Sequence, residues 1–400
     1  MERRQLDVDK LEYGMYVAEL DRPWTETPFL FQGFHLQTEE QLETLKKFCK
    51  HVFVDLERTA KDTPRPPPPA AKFQITGNTA YPEKVTVEVE FKQAANLYSK
   101  SFDSFAELLK PVAKQGGVLE AKEVKESVTR LTDSVVRNPD AMLLVTRLRE
   151  KSAEAHARAL QVSVYLIVFA RFLQLAREEL ELLGLLGLLQ DVGMTRLPAE
   201  LVARKGPLGA EDQAVYRRHV EYSAEILAAT PGLPPKLPEL AMLHHERQDG
   251  GGYPRGLKGD EIGLYGSMAA LADTFDALTA IRPSYEPLSP SAALSYLYKE
   301  RGTGFHADLV EQFIQCVGVF PVGSVVELNS GEVGIVITQN LVRRLKPRVM
   351  VVLDAKGNPM RPHKILDLDK DPKATPDEAY KIKRTMEQSK VTIDPRDMFI

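Results

Sequence analysis

The feature that most constrains the fold is a series of apolar helical segments between about residues 150 and 318. Apolar residues recur at helical spacing within each segment, and short stretches rich in glycine and proline separate the segments. These stretches read GMTRLPAE, TPGLPPKLP and DGGGYPRGLKGDEIG. Because glycine and proline favour turns and helix ends, the pattern predicts an all-α domain over residues 150–318 and a mainly α protein.

The regions on either side have different patterns. Residues 1–60 combine alternating apolar stretches with one helical stretch, which predicts a small α/β domain. Residues 61–82 are rich in proline and predict an extended linker. Residues 83–149 predict a helical connecting segment. Residues 319–370 alternate with a period of two, which predicts a small β extension, and residues 371–400 predict a loosely held charged tail.

Composition excludes several classes of protein. The 400 residues carry a net charge of -4 without a long basic block, so we expect no nucleic-acid-binding surface. Cys49 and Cys316 lie far apart, so any metal must be held by histidine and carboxylate side chains. The sequence has no apolar run of about 18 residues and begins with charged residues, which predicts a cytoplasmic protein without a membrane span.

Two adjacent histidines, His244 and His245, end the apolar segment LPELAMLHH. Consecutive side chains reach one metal only where a helix ends and the chain direction changes. The alternative is that the pair compensates the negative end of the helix dipole. His219, Asp191 and Asp273 also place ionisable groups within apolar helical stretches, where a charge needs a partner or a metal. The sequence therefore favours a metal site.

The stretch HHERQDGGGYPRGLKGDEI, followed by ALADTFDALTAIRP, resembles the signature of the HD-GYP family. The family comprises bacterial metal-dependent phosphodiesterases that hydrolyse cyclic di-GMP, and its GYP corresponds to Gly252, Tyr253 and Pro254. The resemblance covers roughly residues 150–318. The first sixty residues also resemble an uncharacterised domain that is common in front of HD-GYP domains. The resemblance implies an HD-type helical fold and a cyclic di-GMP signalling function.

Half of the family's metal-binding pattern is intact. His219, His244, His245 and Asp273 stand at its expected positions, and Asp191 keeps the aspartate of the His-Asp pair.

The other half of the pattern has changed. Gln190 stands where the family has the histidine that gives it its name, and Met194 replaces a lysine. Arg158 stands at the first ligand histidine, with Glu154 one turn before it. His156 is two positions from Arg158, about 200° around a helix, so we expect it to point elsewhere. The resemblance thus implies a degenerate centre.

The resemblance implies about one divalent metal per chain, bound by Asp191, His219, His244 and His245. This set of nitrogen and oxygen ligands suits iron, manganese or zinc. A second site would retain only Asp191, Asp273 and, as a further candidate, Glu154. This set of carboxylates would bind a transition metal poorly. Arg158 offers a substitute positive charge by pairing with Glu154 or Asp273. The alternative is a solvated Arg158–Glu154 pair on the helix surface.

Ligand-binding residues are expected in the loop after the double histidine. The resemblance implies a polar or stacking role for Tyr253 and Pro254, and phosphate contacts for Arg255, Lys258 and Arg282. The alternatives are a plain glycine-rich turn and solvated cations. This loop is also where the family contacts partner proteins, and a homodimer is left open.

Two functions follow from the resemblance. In the first, the chain binds cyclic di-GMP or a protein partner, and hydrolysis is weak or lost. In the second, it is an active phosphodiesterase that yields pGpG or GMP with one metal or with Glu154 recruited as a ligand. Metal content per chain and turnover of cyclic di-GMP distinguish the two.

Overall fold

A computed structural model gives the structure of the protein. It describes residues 3–22, 27, 29, 33–36, 39–59, 76–112, 117–148, 155–204, 206–280, 286–386 and 398–399. The chain divides into two compact units, residues 1–74 and 75–400. Residues 61–75 of the predicted linker lie outside the described residues.

The first unit contains a four-stranded antiparallel sheet with one helix, as the sequence predicts. Its elements are β1 (Arg3–Asp7), β2 (Tyr16–Leu20), β3 (Phe34–His35), α1 (Glu39–Phe48) and β4 (His51–Asp55). The sheet order is β1-β4-β2-β3, and Val17 lies opposite Val54 in the β2–β4 pair. Both valines are fully buried together with Leu45 of α1, so the helix covers one face of the sheet.

The second unit is built around a helical core. Its helices are α2 (Val87–Val112), α3 (Ala121–Arg137), α4 (Pro139–Leu148), α5 (Ala155–Phe172), α6 (Arg177–Leu189), α7 (Ala199–Val202), α8 (Ala210–Arg217), α9 (His219–Ala229), α10 (Leu237–Ala241), α11 (Gly263–Thr279), α12 (Pro290–Lys299) and α13 (Ala307–Val317). The mainly α fold class is therefore confirmed. Among the described residues, no helix is both long enough and apolar enough to span a membrane.

Helices α5 and α6 form the centre of this core. A side chain at Gly187 of α6 would place its Cβ 2.6 Å from the backbone nitrogen of Ser163 in α5, so glycine allows the two backbones to approach closely. The Ser163 hydroxyl donates to the carbonyl of Gly184 at 2.7 Å, which satisfies a polar group in this buried contact. The contact fixes the C-terminal end of α6, where the candidate site begins.

A five-stranded antiparallel sheet follows the helices. Its strands are β5 (Val325–Leu328), β6 (Val333–Thr338), β7 (Arg348–Leu353), β8 (Pro359–Asp367) and β9 (Ile382–Met386), in the order β8-β7-β6-β5-β9. The backbone N–H of Gln339 donates to Asp140 of α4 at 3.1 Å, and Arg348 pairs with Glu88 of α2 at 2.5 Å. These two contacts join the sheet to the helices.

The expectation of a loosely held tail from residue 371 is wrong for residues 382–386, which form β9 at the edge of this sheet. Lys383 and Arg384 both pair with Glu327 of β5, at 2.8 and 2.5 Å. Exposed cations are typical of edge strands, because they discourage pairing with another chain. Because of these same cations, the sequence pattern predicted a charged tail here.

Candidate metal centre

Helix ends bring the four predicted metal ligands together. Asp191 follows α6, just after its cap residue Gln190, and His219 is the first residue of α9. His244 and His245 lie in the turn after α10, which ends at Ala241 rather than at the histidines as the sequence suggested. The turn changes the chain direction, so both imidazoles reach the same point.

A glycine brings Asp191 against α9. Gly193 lies in the short 3-10 helix Val192–Arg196 that follows Asp191. A Cβ on Gly193 would lie 2.1 Å from the carbonyl oxygen of His219 and 2.4 Å from the backbone nitrogen of Ser223. The Gly193 N–H also donates to the Ser223 hydroxyl at 2.8 Å. Any larger residue would separate Asp191 from His219.

The four side chains converge with the spacing of a metal site. One ligand atom from each of Asp191, His219, His244 and His245 lies within 4.8 Å of the other three. Both His219 Nε2 and His244 Nε2 lie 3.3 Å from Asp191 Oδ1. Atoms that share one ion at about 2.0–2.2 Å lie roughly 3–4.4 Å from one another, so small shifts would complete the coordination.

Hydrogen bonds on the outer side of two rings fix their tautomers. His219 Nδ1 lies 2.7 Å from the carbonyl oxygen of Tyr216, and His244 Nδ1 lies 2.8 Å from that of Ala241. A carbonyl only accepts, so each Nδ1 carries the proton and each Nε2 offers its lone pair to the centre. His244 Nε2 is fully buried and makes no hydrogen bond of regular geometry, although it lies 3.3 Å from Asp191 Oδ1, and such an environment suits a metal-ligand nitrogen.

The electrostatics of the cluster favour a bound cation. Burial raises the pKa of Asp191, but Arg158, His219 and His244 outweigh it and hold that pKa well below its usual value. Burial, followed by the charge of His244, lowers the pKa of His245 far below its usual value, so this imidazole stays neutral. The ionised carboxylate of Asp191 and the neutral imidazole of His245 fit a divalent metal, and the cluster is therefore able to hold one.

A second cluster next to Asp191 is organised by an arginine. Arg158 of α5 contacts three carboxylates: Asp273 at 2.5 Å, Asp276 at 3.1 Å and Asp191 at 3.4 Å. Gln190 Nε2 donates to the same Asp273 oxygen at 3.2 Å. Of the two partners expected for Arg158, Asp273 contacts it, and Glu154 lies outside the described residues. The guanidinium supplies positive charge to the Asp273 and Asp276 carboxylates, which are almost fully buried.

The GYP loop is attached to the double histidine. The Tyr253 N–H donates to the carbonyl of His245 at 3.2 Å, and its ring stacks on the His245 imidazole with centroids 4.6 Å apart. A Cβ on Gly252 would lie 2.5 Å from the His245 carbonyl oxygen, so only glycine fits there. The buried Glu246 carboxylate accepts the N–H groups of Arg255 at 2.8 Å and Leu257 at 3.0 Å. Tyr253 is thus held beside the metal ligands.

Other predicted ligand-binding residues have different contacts. Arg255 makes a bidentate ion pair with Glu239, at 2.6 and 2.8 Å, rather than contacting the four-ligand cluster. Lys258 is exposed and lies along Gly250. Met194 is half-buried in the 3-10 helix after Asp191.

The remaining candidates differ in what the structure tells of them. Pro254 is half-buried beside Tyr253. Glu154 and Arg282 lie outside the described residues. His156 packs against Phe102 of α2, with ring centroids 4.2 Å apart, and is not in the cluster, as its helical position predicted.

Sequence reasoning missed two residues that shape the centre. Asp276 lies three residues after Asp273, so both carboxylates face Arg158 from the same side of α11. That spacing was the available signal. Arg247 donates to the carbonyl of Glu246 at 2.8 Å and to Thr274 of α11 at 3.3 Å, which ties the histidine turn to the helix that carries both aspartates.

Three family models match consecutive parts of the chain. The HD domain matches residues 143–309, a domain of unknown function (DUF3391) matches residues 3–124, and a KOW domain associated with HD domain matches residues 325–385. The last of these includes most of β9, in agreement with its place in the sheet.

The relatives include phosphodiesterases of cyclic dinucleotides. Cyclic di-GMP phosphodiesterase PA4108 of Pseudomonas aeruginosa is 29% identical over 370 residues, which is 91% of this chain and 89% of that protein. The 3'3'-cGAMP-specific phosphodiesterase 2 of Vibrio cholerae is 34% identical over 43% of this chain and 33% of its own length. The cyclic di-GMP phosphodiesterase response regulator RpfG of Xanthomonas campestris is 35% identical over 36% of this chain and 39% of its own length. Residues 143–309, which include most of the helical core and the GYP loop, are thus similar to the HD domain, and nearly the whole chain is similar to a cyclic di-GMP phosphodiesterase.

Proposed function

We propose that this chain is a cyclic di-GMP signalling protein that binds one divalent transition metal and hydrolyses the dinucleotide weakly or not at all. The relative that matches nearly its whole length is named as a cyclic di-GMP phosphodiesterase, which supports the ligand class. The complete cluster of three histidines and Asp191 supports the metal.

Iron, manganese and zinc all suit this set of ligands. A divalent metal in such a site supplies Lewis-acid stabilisation of phosphate oxygens. The protein's own part is to hold Asp191 ionised and His245 neutral, and to keep each Nε2 of His219 and His244 aimed at the centre. Tyr253, stacked on His245, covers one face of that imidazole.

The single observation that carries the proposal of weak hydrolysis is the position of Arg158. Two-metal phosphodiesterases place their ions about 3.5–4 Å apart, with a carboxylate between them. Here the neighbour of the Asp191 carboxylate is a guanidinium that also binds Asp273 and Asp276. A second cation at that position would be repelled by Arg158 and would find its carboxylates already engaged.

Two further residues lower the expected rate. Gln190 offers an amide where the family has an imidazole, and its Nε2 is already used by Asp273. Met194 carries no charge that could face a phosphate. Loss of single preorganised electrostatic groups typically costs on the order of 10²-fold or more in rate, so these changes together favour binding over turnover.

The test combines three measurements on the full chain: metal content, binding of cyclic di-GMP and its hydrolysis with added manganese or iron. We expect about one metal per chain, measurable binding and a turnover far below about 1 s⁻¹. The Pseudomonas relative, assayed in parallel, serves as the hydrolytic control. If the chain does not bind cyclic di-GMP, the proposed ligand is wrong. A turnover of about 1 s⁻¹ or more would favour the alternative of an active phosphodiesterase.

A further inference from the structure

Arg217 lies close to the metal centre and, among the described residues, forms no ion pair, unlike four other arginines of this region. Four other arginines of this region pair with carboxylates: Arg196 with Glu225, Arg204 with Asp212, Arg218 with Glu221 and Arg255 with Glu239. Within the part of the chain that the structure describes, the contact of Arg217 is with an aromatic ring and not with a carboxylate. Its charge therefore remains available.

Arg217 contacts the ring that covers a metal ligand. It is the last residue of α8, two positions before His219, and it is exposed. Its guanidinium carbon lies 4.7 Å from the centroid of the Tyr253 ring, and that ring stacks on His245 at 4.6 Å. This cation is thus next to the centre, on the side where Tyr253 stacks on His245.

Stacking orients this guanidinium without using its donors. A cation over an aromatic ring is attracted by the ring's electrons, while the five N–H donors of arginine point outward in the guanidinium plane. Tyr253 is itself fixed by its N–H bond to His245 and by Glu246, which holds the following residues of the loop. A planar, oriented fork of donors suits a phosphate group, which accepts two hydrogen bonds side by side.

We propose that Arg217 binds a phosphate of the cyclic dinucleotide that occupies the metal centre. This inference rests on the proposed function and adds a recognition residue to it. Arg217 then provides a positive charge for phosphate binding. Met194 has no charge, and Arg255 is engaged in an ion pair with Glu239. Since the contact is to phosphate and not to a base, it should serve all cyclic dinucleotides with the same backbone.

The test compares Arg217→Met with Arg218→Met in the metal-loaded full chain. Arg218 is the matched control, because it adjoins Arg217, is also exposed and lies over a tyrosine ring, but pairs with Glu221. Cyclic di-GMP and 3'3'-cGAMP are titrated by calorimetry into each variant. We expect Arg217→Met to weaken both ligands by the same factor of about ten or more, since a hydrogen bond to a charged group is lost. Arg218→Met should change either affinity less than about twofold, and metal content should be unchanged in both.

The outcomes separate this inference from the proposed function. If the wild type binds cyclic di-GMP and Arg217→Met binds it equally well, the inference is overturned and the proposed function stands. Equal losses in both variants would also overturn it, since they would reflect general surface charge. A loss for one dinucleotide alone would show a base contact, and a loss of metal would show a structural role, and either contradicts the inference. If the wild type binds neither dinucleotide, the proposed function fails and the inference fails with it.

Discussion

Replacing Arg158 with alanine should destabilise the helical unit strongly in metal-free buffer. Arg158 joins Asp191, Asp273 and Asp276, and the last two are almost fully buried. Without the guanidinium these carboxylates lose the cation that joins them. Buried carboxylates that lose their partner cannot regain the hydration they had in the unfolded chain.

The size of the effect follows from the distances. At an effective dielectric near 20, a pair of unit charges at about 4 Å attracts by about 4 kcal/mol, so three contacts represent a large gross energy. Desolvation of the guanidinium and repulsion among the carboxylates offset most of it. Removal of one partner from a buried ion pair typically costs about 3–5 kcal/mol, and we expect that net loss for Arg158→Ala. The corresponding fall in melting temperature is on the order of 10 °C.

The assay is urea or thermal unfolding of the wild type, Arg158→Ala and the control Arg177→Ala. Arg177 also contacts two carboxylates, Asp133 and Glu181, but it is 42% exposed, so its loss should cost less than about 1 kcal/mol. Manganese should then restore part of the stability of Arg158→Ala, because the freed carboxylates gain a ligand that binds the folded state. Saturation at a hundred times the dissociation constant contributes about 2.7 kcal/mol.

Two results would refute this reasoning. Arg158→Ala as stable as Arg177→Ala would mean that the three contacts contribute nothing to folding. An unstable Arg158→Ala that gains no more from manganese than the wild type does would mean that the arginine does not stand where a second cation would bind.

The remaining predictions concern the metal, the lost half of the site and the pH dependence of stability. Elemental analysis should show that His244→Ala loses most of its metal, because a ligand is removed. His156→Ala should keep its metal, because His156 only packs on Phe102. Unchanged metal content in His244→Ala would refute the ligand assignment. Metal content and hydrolysis should rise together in the triple variant Arg158→His, Gln190→His, Met194→Lys, and a folded variant that gains neither would show that the backbone has also diverged. Burial raises the pKa of Asp140 to about 7, so the contribution of Asp140 to wild-type stability should fall as the pH rises from about 4 to 7. Over that range Asp140→Asn should gain roughly 4 kcal/mol relative to the wild type in urea unfolding, and parallel pH profiles would contradict this.

Much of the site could be predicted because its chemistry lies in short stretches of sequence. Histidines and aspartates within apolar helices are conspicuous, and Asp191, His219, His244 and His245 do meet. The family resemblance singled out Arg158, and Asp273 was one of the two partners expected for it.

Other features depend on tertiary contacts that local patterns do not contain. Arg255 has the composition of a phosphate ligand, but the position of Glu239 on α10 decides its partner. The sequence around Asp276 does not distinguish it from an ordinary helix residue. Its role depends on the packing of α5 against α11, which places Arg158 3.1 Å from its carboxylate. Strand β9 reads as a charged tail because its pairing with β5 joins residues more than fifty positions apart.

Metal content and cyclic di-GMP turnover, measured on the same wild-type preparation after loading with manganese or iron, test the central claim most directly. The Asp191, His219, His244 and His245 set and the position of Arg158 together predict about one tightly bound metal per chain and a turnover far below about 1 s⁻¹. Two tightly bound metals per chain with a turnover of about 1 s⁻¹ or more would contradict the account, because they would require a cation where Arg158 now binds its three carboxylates.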